Sequence, residues 1–304
     1  PSISSGITEN WIIEGNPKSA IGLSLVALLI VFTLILLEKF SRRRTKRWSE
    51  NPASQDSQGW ELKKYRALLA IIFTIFPPIF SLGIPCFWVL LNIDQLQKGF
   101  TTELLTLLFR TICLGIVTAL ITIIFSLVLS LANRQPRNLF LQFITFPAGI
   151  GYAIPGTVLA LSLITISTSN LNYISICLLI WGYVVRFLTI SKGSLDSGLE
   201  RISTNLDEAA LGLGANWFKV IKRILLPLLK GPIFVGSLLV FVDTIKELPI
   251  TFILRPFDFD TLAVRIYQYA GDERMVEAIV PAIFIMLLGL IASSTLIPSL
   301  EKKN

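Results

Sequence analysis

The sequence predicts an all-α polytopic membrane protein, and three observations carry that prediction. Apolar residues fill 53% of 304 positions and charged ones only 15%, where an ordinary soluble domain carries about a quarter charged. Seven stretches stay apolar over about 20 residues, the length a helix needs to cross the hydrocarbon layer. Basic residues crowd into the segments between them, as they do in membrane flanks. The net charge of +7 therefore speaks for a lipid surface and against nucleic acid. Histidine is absent, which excludes His-based triads, proton relays and imidazole metal sites. Cys86, Cys113 and Cys177 lie singly in apolar runs without CxxC spacing, the pattern of packing residues and not of a disulfide or a metal site.

In chain order the expected spans are 20–37, 67–91, 104–132, 139–167, 172–190, 231–254 and 276–298. Residues 38–66, EKFSRRRTKRWSENPASQDSQGWELKKYR, read as an exposed polar linker. If the linker is cytoplasmic, alternation puts 133–138, 191–230 and the tail after Pro298 on the same side. These four segments hold nineteen Lys and Arg against five on the other side, so the linker and the C-terminus are expected inside. The chain opens on Pro1 without the order of regions of a signal peptide, which fits a processed or cut chain. The first span and its basic exit echo the last span and its exit. On that echo, residues 1–37 are expected to be an outside segment and the final span of an upstream half. Residues 67–300 then form a six-span unit, followed by a tail at 301–304.

The polar segment 191–230 has internal order. Thr204 and Asp207 fit a capping box at a helix start, and the helix runs through Glu208, Ala209 and Ala210 toward Gly212 and Gly214, where a chain reversal suits Gly. Asn216 can cap a second helix with Trp217, Val220, Ile221 and Ile224 on one face and Lys219, Lys222 and Arg223 on the other. Pro227 marks the approach to the next span. Two short helices at a Gly turn would form a compact cytoplasmic knob.

The spacing Glu208-Ala209-Ala210, Gly214, Ile224, Leu226-Pro227 resembles the EAA loop of binding-protein-dependent ABC importer permeases. The resemblance implies the fold of a type I ABC importer transmembrane domain, a six-span unit preceded here by one further span. It implies that the first helix of the loop docks in a cleft of an ATPase subunit. Ala209, Ala210 and Gly214 would allow close approach, and Glu208 would make the polar contact. The other reading of the segment is an amphipathic helix lying on lipid, which its basic face favours. Further on, KELP at 246–249, LRP at 254–256 and TLA at 261–263 follow the order found in ferric-iron permeases, to which residues 67–300 are similar. This implies a bacterial inner-membrane permease, not an enzyme, that imports ferric iron delivered by a periplasmic binding protein. A pair of ATPase subunits and a second permease half are the implied partners, besides membrane lipid. Thiamine, sulfate, molybdate or a polyamine stay open as cargo, and an ion-coupled secondary carrier stays open as a class. The sequence contains no GxxxxGK[ST] phosphate loop, so ATP is expected on the partner and no cofactor on this chain.

Asp243, Lys246 and Glu247 fall at i, i+3 and i+4 of the sixth span, on one helical face, about 18 to 24 Å from its cytoplasmic end. Charges at such depth mark pathways; alternatively Lys246 neutralises both carboxylates and the trio only fixes packing. Pro249 predicts a break just beyond them. The stretch FPAGIGYAIPG predicts a broken fourth span. Its irregular backbone would line a cavity, with Tyr152, Pro155, Gly156 and Thr157 as candidate lining groups, or would serve close helix packing. Arg186, at the end of the fifth span, is expected to snorkel to the interface. The outside loop 255–275 mixes Asp258, Asp260, Asp272 and Glu273 with Arg255, Arg265 and Arg274, either as a meeting surface for a binding protein or as a plain solvated loop. No metal site is assigned.

Overall fold

The computed structural model of the protein describes residues 3–42, 62–134, 145, 147–166 and 171–296, and all regular elements among them are helical. The short α1 (Ile3–Thr8) leads through one π turn into α2 (Pro17–Arg42). Next come α3 (Tyr65–Leu91), α4 (Leu104–Arg134), α5 (Gly156–Ile166) and α6 (Leu171–Glu200). The knob contains α7 (Asn205–Gly212) and α8 (Trp217–Leu228). The chain continues through α9 (Lys230–Ile245), α10 (Pro249–Leu254), α11 (Leu262–Gly271) and α12 (Met275–Ser294).

Among the described residues five helices are long and apolar enough to cross a membrane: Pro17–Leu37, Tyr65–Leu91, Leu104–Arg134, Ser175–Glu200 and Met275–Ser294. The expected sixth span is broken, and its α9 is long enough to cross only if joined to α8. Its α9 meets α8 at a 70° bend and stops at Ile245, and the chain restarts as α10 at Pro249. The described part of the expected fourth span is broken, as FPAGIGYAIPG predicts. Two 3-10 turns, Pro147–Gly149 and Gly151–Ala153, precede the eleven residues of α5, which rise about 16 Å and reach only part-way across the hydrocarbon layer. Residues 139–144 of that span lie outside the described residues, as do most of the linker (43–61), residues 135–138 and the tail 301–304. The loop 255–275 is more helical than expected, because α11 occupies much of it.

The core is a tight packing of α4, α6 and α9. Lipid tails are as apolar as Leu, so helices associate in membranes through close contact at small residues. Gly115 shows this: a Cβ there would lie 2.8 Å from the Phe241 ring and 3.2 Å from Ile245. Gly198 seats Pro232 in the same way, and Thr118, Thr122, Ser126 and Ser130 are all buried along α4. On the flank, Ile7, Ala20 and Ala27 pack against Val158 and Leu161 of α5. By contrast, no residue of α3 is buried within this chain.

Candidate functional site

The knob is built as two short helices on a shared core. Gly214 adopts φ +83°, a left-handed conformation that favours Gly. The Ala215 N–H reaches back to the Ala210 carbonyl at 3.0 Å, closing α7. The Asn216 side chain caps α8 by accepting the Lys219 N–H at 2.9 Å. Beneath the two helices Val220, Leu225 and Leu229 pack with Leu131 of α4 and Leu199 of α6, joined by Ala210, Trp217, Ile221 and Ile224. Outward face Glu208 and Ala209, together with Leu213 at 89% and Phe218 at 68% exposure. Lys219, Lys222 and Arg223 are exposed on α8, while Leu226 is half-buried and Pro227 exposed at its end.

The expected capping box does not form. Thr204 has helical backbone angles and no side-chain cap bond, and Asp207 turns inward to Arg134, whose Nε lies 2.5 Å from Oδ2. A charge-assisted bond to guanidinium is stronger than one to a backbone N–H, so the carboxylate is drawn away from the cap. The same guanidinium donates to the carbonyls of Leu199 (2.9 Å), Ile202 (3.0 Å) and Ser203 (3.2 Å). Both partners are buried, with side-chain exposures of 6% and 8%. Arg134 carries no motif; in the sequence it is one more basic residue at the end of an apolar run.

At mid-depth the charged trio divides. Lys246 pairs with Asp243 at 2.8 Å, with most of the Lys246 side chain exposed. Glu247 is buried and faces elsewhere, because the helix has already ended at Ile245 and the periodicity that would align the three no longer holds. Its carboxylate accepts the N–H groups of Ile250 at 3.1 Å and Thr251 at 3.2 Å and the Thr251 hydroxyl at 3.1 Å, capping α10. Thr251 in turn bonds to the buried Tyr183 hydroxyl.

Arg186 completes this cluster and does not snorkel. The helix that carries it runs on to Glu200, so the residue sits about 21 Å from the helix end. Its Nη1 lies 3.8 Å from Glu247 Oε1, and its guanidinium lies 5.9 Å from the centre of the Tyr152 ring. Gly156 makes room for both charges: a Cβ there would meet Arg186 Nη1, stand 3.1 Å from Glu247 Oε1 and 3.2 Å from Ile250. The turns before α5 are held on α6, since the Tyr152 N–H donates to Thr189 Oγ1 at 3.3 Å and that hydroxyl donates to the Ala148 carbonyl at 3.0 Å. Tyr152, Gly156 and Glu247 thus converge on Arg186, with Pro155 half-buried between Ile154 and Gly156. Thr157 lines a neighbouring cavity of about 420 Å³ with Glu9, Leu248, Pro249 and Phe252.

The segment around α11 carries an ion-pair chain. Asp260 pairs with Arg255 and, at 3.3 Å, with Arg265, which also binds Glu103 at 2.8 Å. Partial burial and the nearby Arg265 cation lower the Arg255 pKa from its usual value. Arg110 donates to the Asp258 carbonyl at 2.5 Å, and Thr261 caps α11. Among the described residues no group of three His, Cys, Asp or Glu side chains is placed to hold a metal ion.

The family model for binding-protein-dependent transport system inner membrane components matches residues 123–303, more than half of the chain. The chain belongs to this family. Its match takes in the knob, the Arg186–Glu247 cluster and α11. This inner-membrane component is 26% identical over 225 residues to the Fe(3+)-transport system permease protein FbpB 2 of Haemophilus influenzae, covering 71% of this chain and 44% of that protein. It is 29% identical over 105 residues to the ferric transport system permease protein FbpB of Actinobacillus pleuropneumoniae, covering 34% of this chain and 15% of that protein. The chain therefore spans less than half the length of these relatives. Among solved structures, a chain of a bacterial ABC transporter involved in the import of the acidic polysaccharide alginate superposes with a TM-score of 0.56 at 15% identity, covering 76% of this chain and 94% of that one. At that identity the likeness speaks for the fold alone, an all-helical importer transmembrane domain.

Proposed function

We propose that this chain is the permease subunit of an ABC importer for ferric iron, working with separate ATPase subunits, a second permease half and a periplasmic binding protein. In this reading residues 1–37 close an upstream half, residues 67–300 form the six-span unit, and the linker and C-terminus are cytoplasmic. The names of the relatives and the KELP, LRP and TLA elements support iron as cargo.

The observation that carries the docking role is the outward face of the knob. Leu213 and Phe218 are exposed, as are Glu208 and Ala209, on a body whose own core is already filled by Val220, Leu225 and Leu229. A rigid surface that exposes large apolar side chains rimmed by polar ones suits a protein partner. Closure of paired ATPase subunits would push on α7 and be passed to the spans. The Arg186–Glu247 pair joins α6 to the break between α9 and α10, and is the candidate gate on the path, with Tyr152, Pro155, Gly156 and Thr157 beside it. Asp243 and Lys246 offer a second charged station. One chain presents one docking loop, and two ATPase subunits need two, which is why a second half is required.

Reconstitution with the cognate ATPase and binding protein tests the cargo. ATP-dependent uptake of labelled ferric iron that survives an excess of thiamine, sulfate, molybdate or polyamine is expected; uptake of one of those instead would overturn the iron reading. Glu208→Lys and Gly214→Trp should release the ATPase subunits. Their co-purification at wild-type yield with normal uptake would reject the docking role.

A further inference from the structure

The last residue of α4 reaches across to two other elements at once. Arg134 donates to Asp207 in the first turn of α7 at 2.5 Å, to the Leu199 carbonyl in the last turn of α6 at 2.9 Å, and to the carbonyls of Ile202 and Ser203 in the connecting turn at 3.0 and 3.2 Å. Carbonyls at a helix C-terminus lack intrahelical partners and carry the negative end of its dipole. Leu199 already accepts the Ile202 N–H at 3.1 Å and Ser203 the Leu206 N–H at 3.3 Å, and the guanidinium adds a charged donor to each. Only a planar fork of N–H donors can serve a carboxylate and three carbonyls together, which a lysine ammonium cannot match. The residue and its partner are nearly closed to solvent, so the contact is neither screened nor casual.

We propose that Arg134 is the positioning residue that couples the docking knob to the membrane spans. This rests on the docking reading of α7 given above. Asp207 immediately precedes Glu208 and Ala209, yet faces inward while they face out, so the clamp and the docking surface occupy opposite sides of a single helical turn. Without the clamp, α7 would be held only by the apolar seat of Ala210 on the knob's core and by the four residues Arg201–Thr204, of which Arg201, Ser203 and Thr204 are exposed. A displacement of α7 would be absorbed there. With the guanidinium in place, the same displacement moves the ends of α4 and α6 together, and both helices pack on α9 in the core. The predicted defect on losing Arg134 is therefore uncoupling, with the docking surface itself untouched.

The test uses the full chain with its ATPase, second half and binding protein in proteoliposomes, with iron as the labelled cargo. Three quantities are read: yield of ATPase-bound complex, ATP hydrolysis rate, and cargo imported per ATP. Arg134→Lys and Arg134→Ala are both expected to keep the ATPase bound and to lower cargo per ATP by roughly tenfold, the scale of a lost bond to a charged group. Asp207→Asn, which leaves the three carbonyl contacts in place, should fall between them and wild type. A wild-type ratio of cargo to ATP in Arg134→Lys would overturn the proposal. So would loss of assembled complex in both Arg134→Lys and Asp207→Asn, which would make the contact a folding element only. Gly214→Trp, run in parallel, separates the two claims: ATPase retained in that variant removes the docking reading, whereas ATPase lost there and coupling kept in Arg134→Lys removes the clamp alone.

Discussion

Glu247→Gln deletes one charge from the centre of the bundle while leaving nearly every atom in place. The amide oxygen can still accept the Ile250 and Thr251 N–H groups, so the cap of α10 survives. What is lost is the counter-charge of Arg186, 3.8 Å away. Two unit charges at that separation attract by about 4 kcal/mol at an effective dielectric of 20. Desolvation of both groups offsets part of this, and the 20% exposure of the Arg186 side chain screens more, leaving a net coupling of about 2 kcal/mol. The single variant should lose about 3 kcal/mol, more than the coupling, because a buried cation is left without a partner.

A double-mutant cycle with Arg186→Gln measures this directly. Each single variant should lower the thermal midpoint of the purified protein, and the double variant should lose about 2 kcal/mol less than the sum of the two single losses. Transport gives the second readout: if the pair is a gate, that offset in stability brings no recovery of uptake. Strictly additive losses in the cycle would show that the two charges do not sense each other and would refute the cluster as an energetic unit.

Two further outcomes follow from packing and capping. Gly198→Val would drive a Cβ to 2.5 Å from Pro232 Cγ and 3.1 Å from Leu229, so α6 and α9 must part at a cost of about 1 to 3 kcal/mol, seen as a lower yield of monodisperse protein. Asn216→Ala removes the acceptor of the Lys219 N–H and should cost about 1 kcal/mol, read as faster amide exchange confined to the start of α8.

The apolar runs made the long spans legible, since length and hydropathy alone set what can cross a bilayer. The knob was legible in its Gly214 turn and Asn216 cap, both local to a few residues. What escaped was decided by distant contacts. Thr204 and Asp207 have the spacing of a capping box, but Arg134 lies far off in sequence and takes the carboxylate. Asp243, Lys246 and Glu247 share a face only if the helix continues past Ile245, and the restart at Pro249 redirects the third. The fifth span ended early in the sequence because SKGSLDSGLE is polar, yet polarity does not stop a helix. The i, i+4 pair of Lys192 and Asp196 supports its continuation.

Both buried arginines are tied to α6, and this bears on how the knob and the path would communicate. Arg134 grips the end of α6 at Leu199, and Arg186 projects from α6 itself toward Glu247. The two points are about 20 Å apart along one continuous helix. Two glycines lie between them, but neither acts as a hinge by necessity. Gly198 is held against Pro232, while a Cβ at Gly193 would find open space, and both keep helical geometry within the same element. A helix gripped near one end by the Arg134 bond to Leu199 and carrying an ion pair part-way along its length transmits tilt better than it absorbs it. The geometry therefore favours a lever over a chain of loop rearrangements: a small rotation at Asp207 would reach Glu247 as a change in the Arg186 separation, at the point where the backbone of the sixth span is already broken.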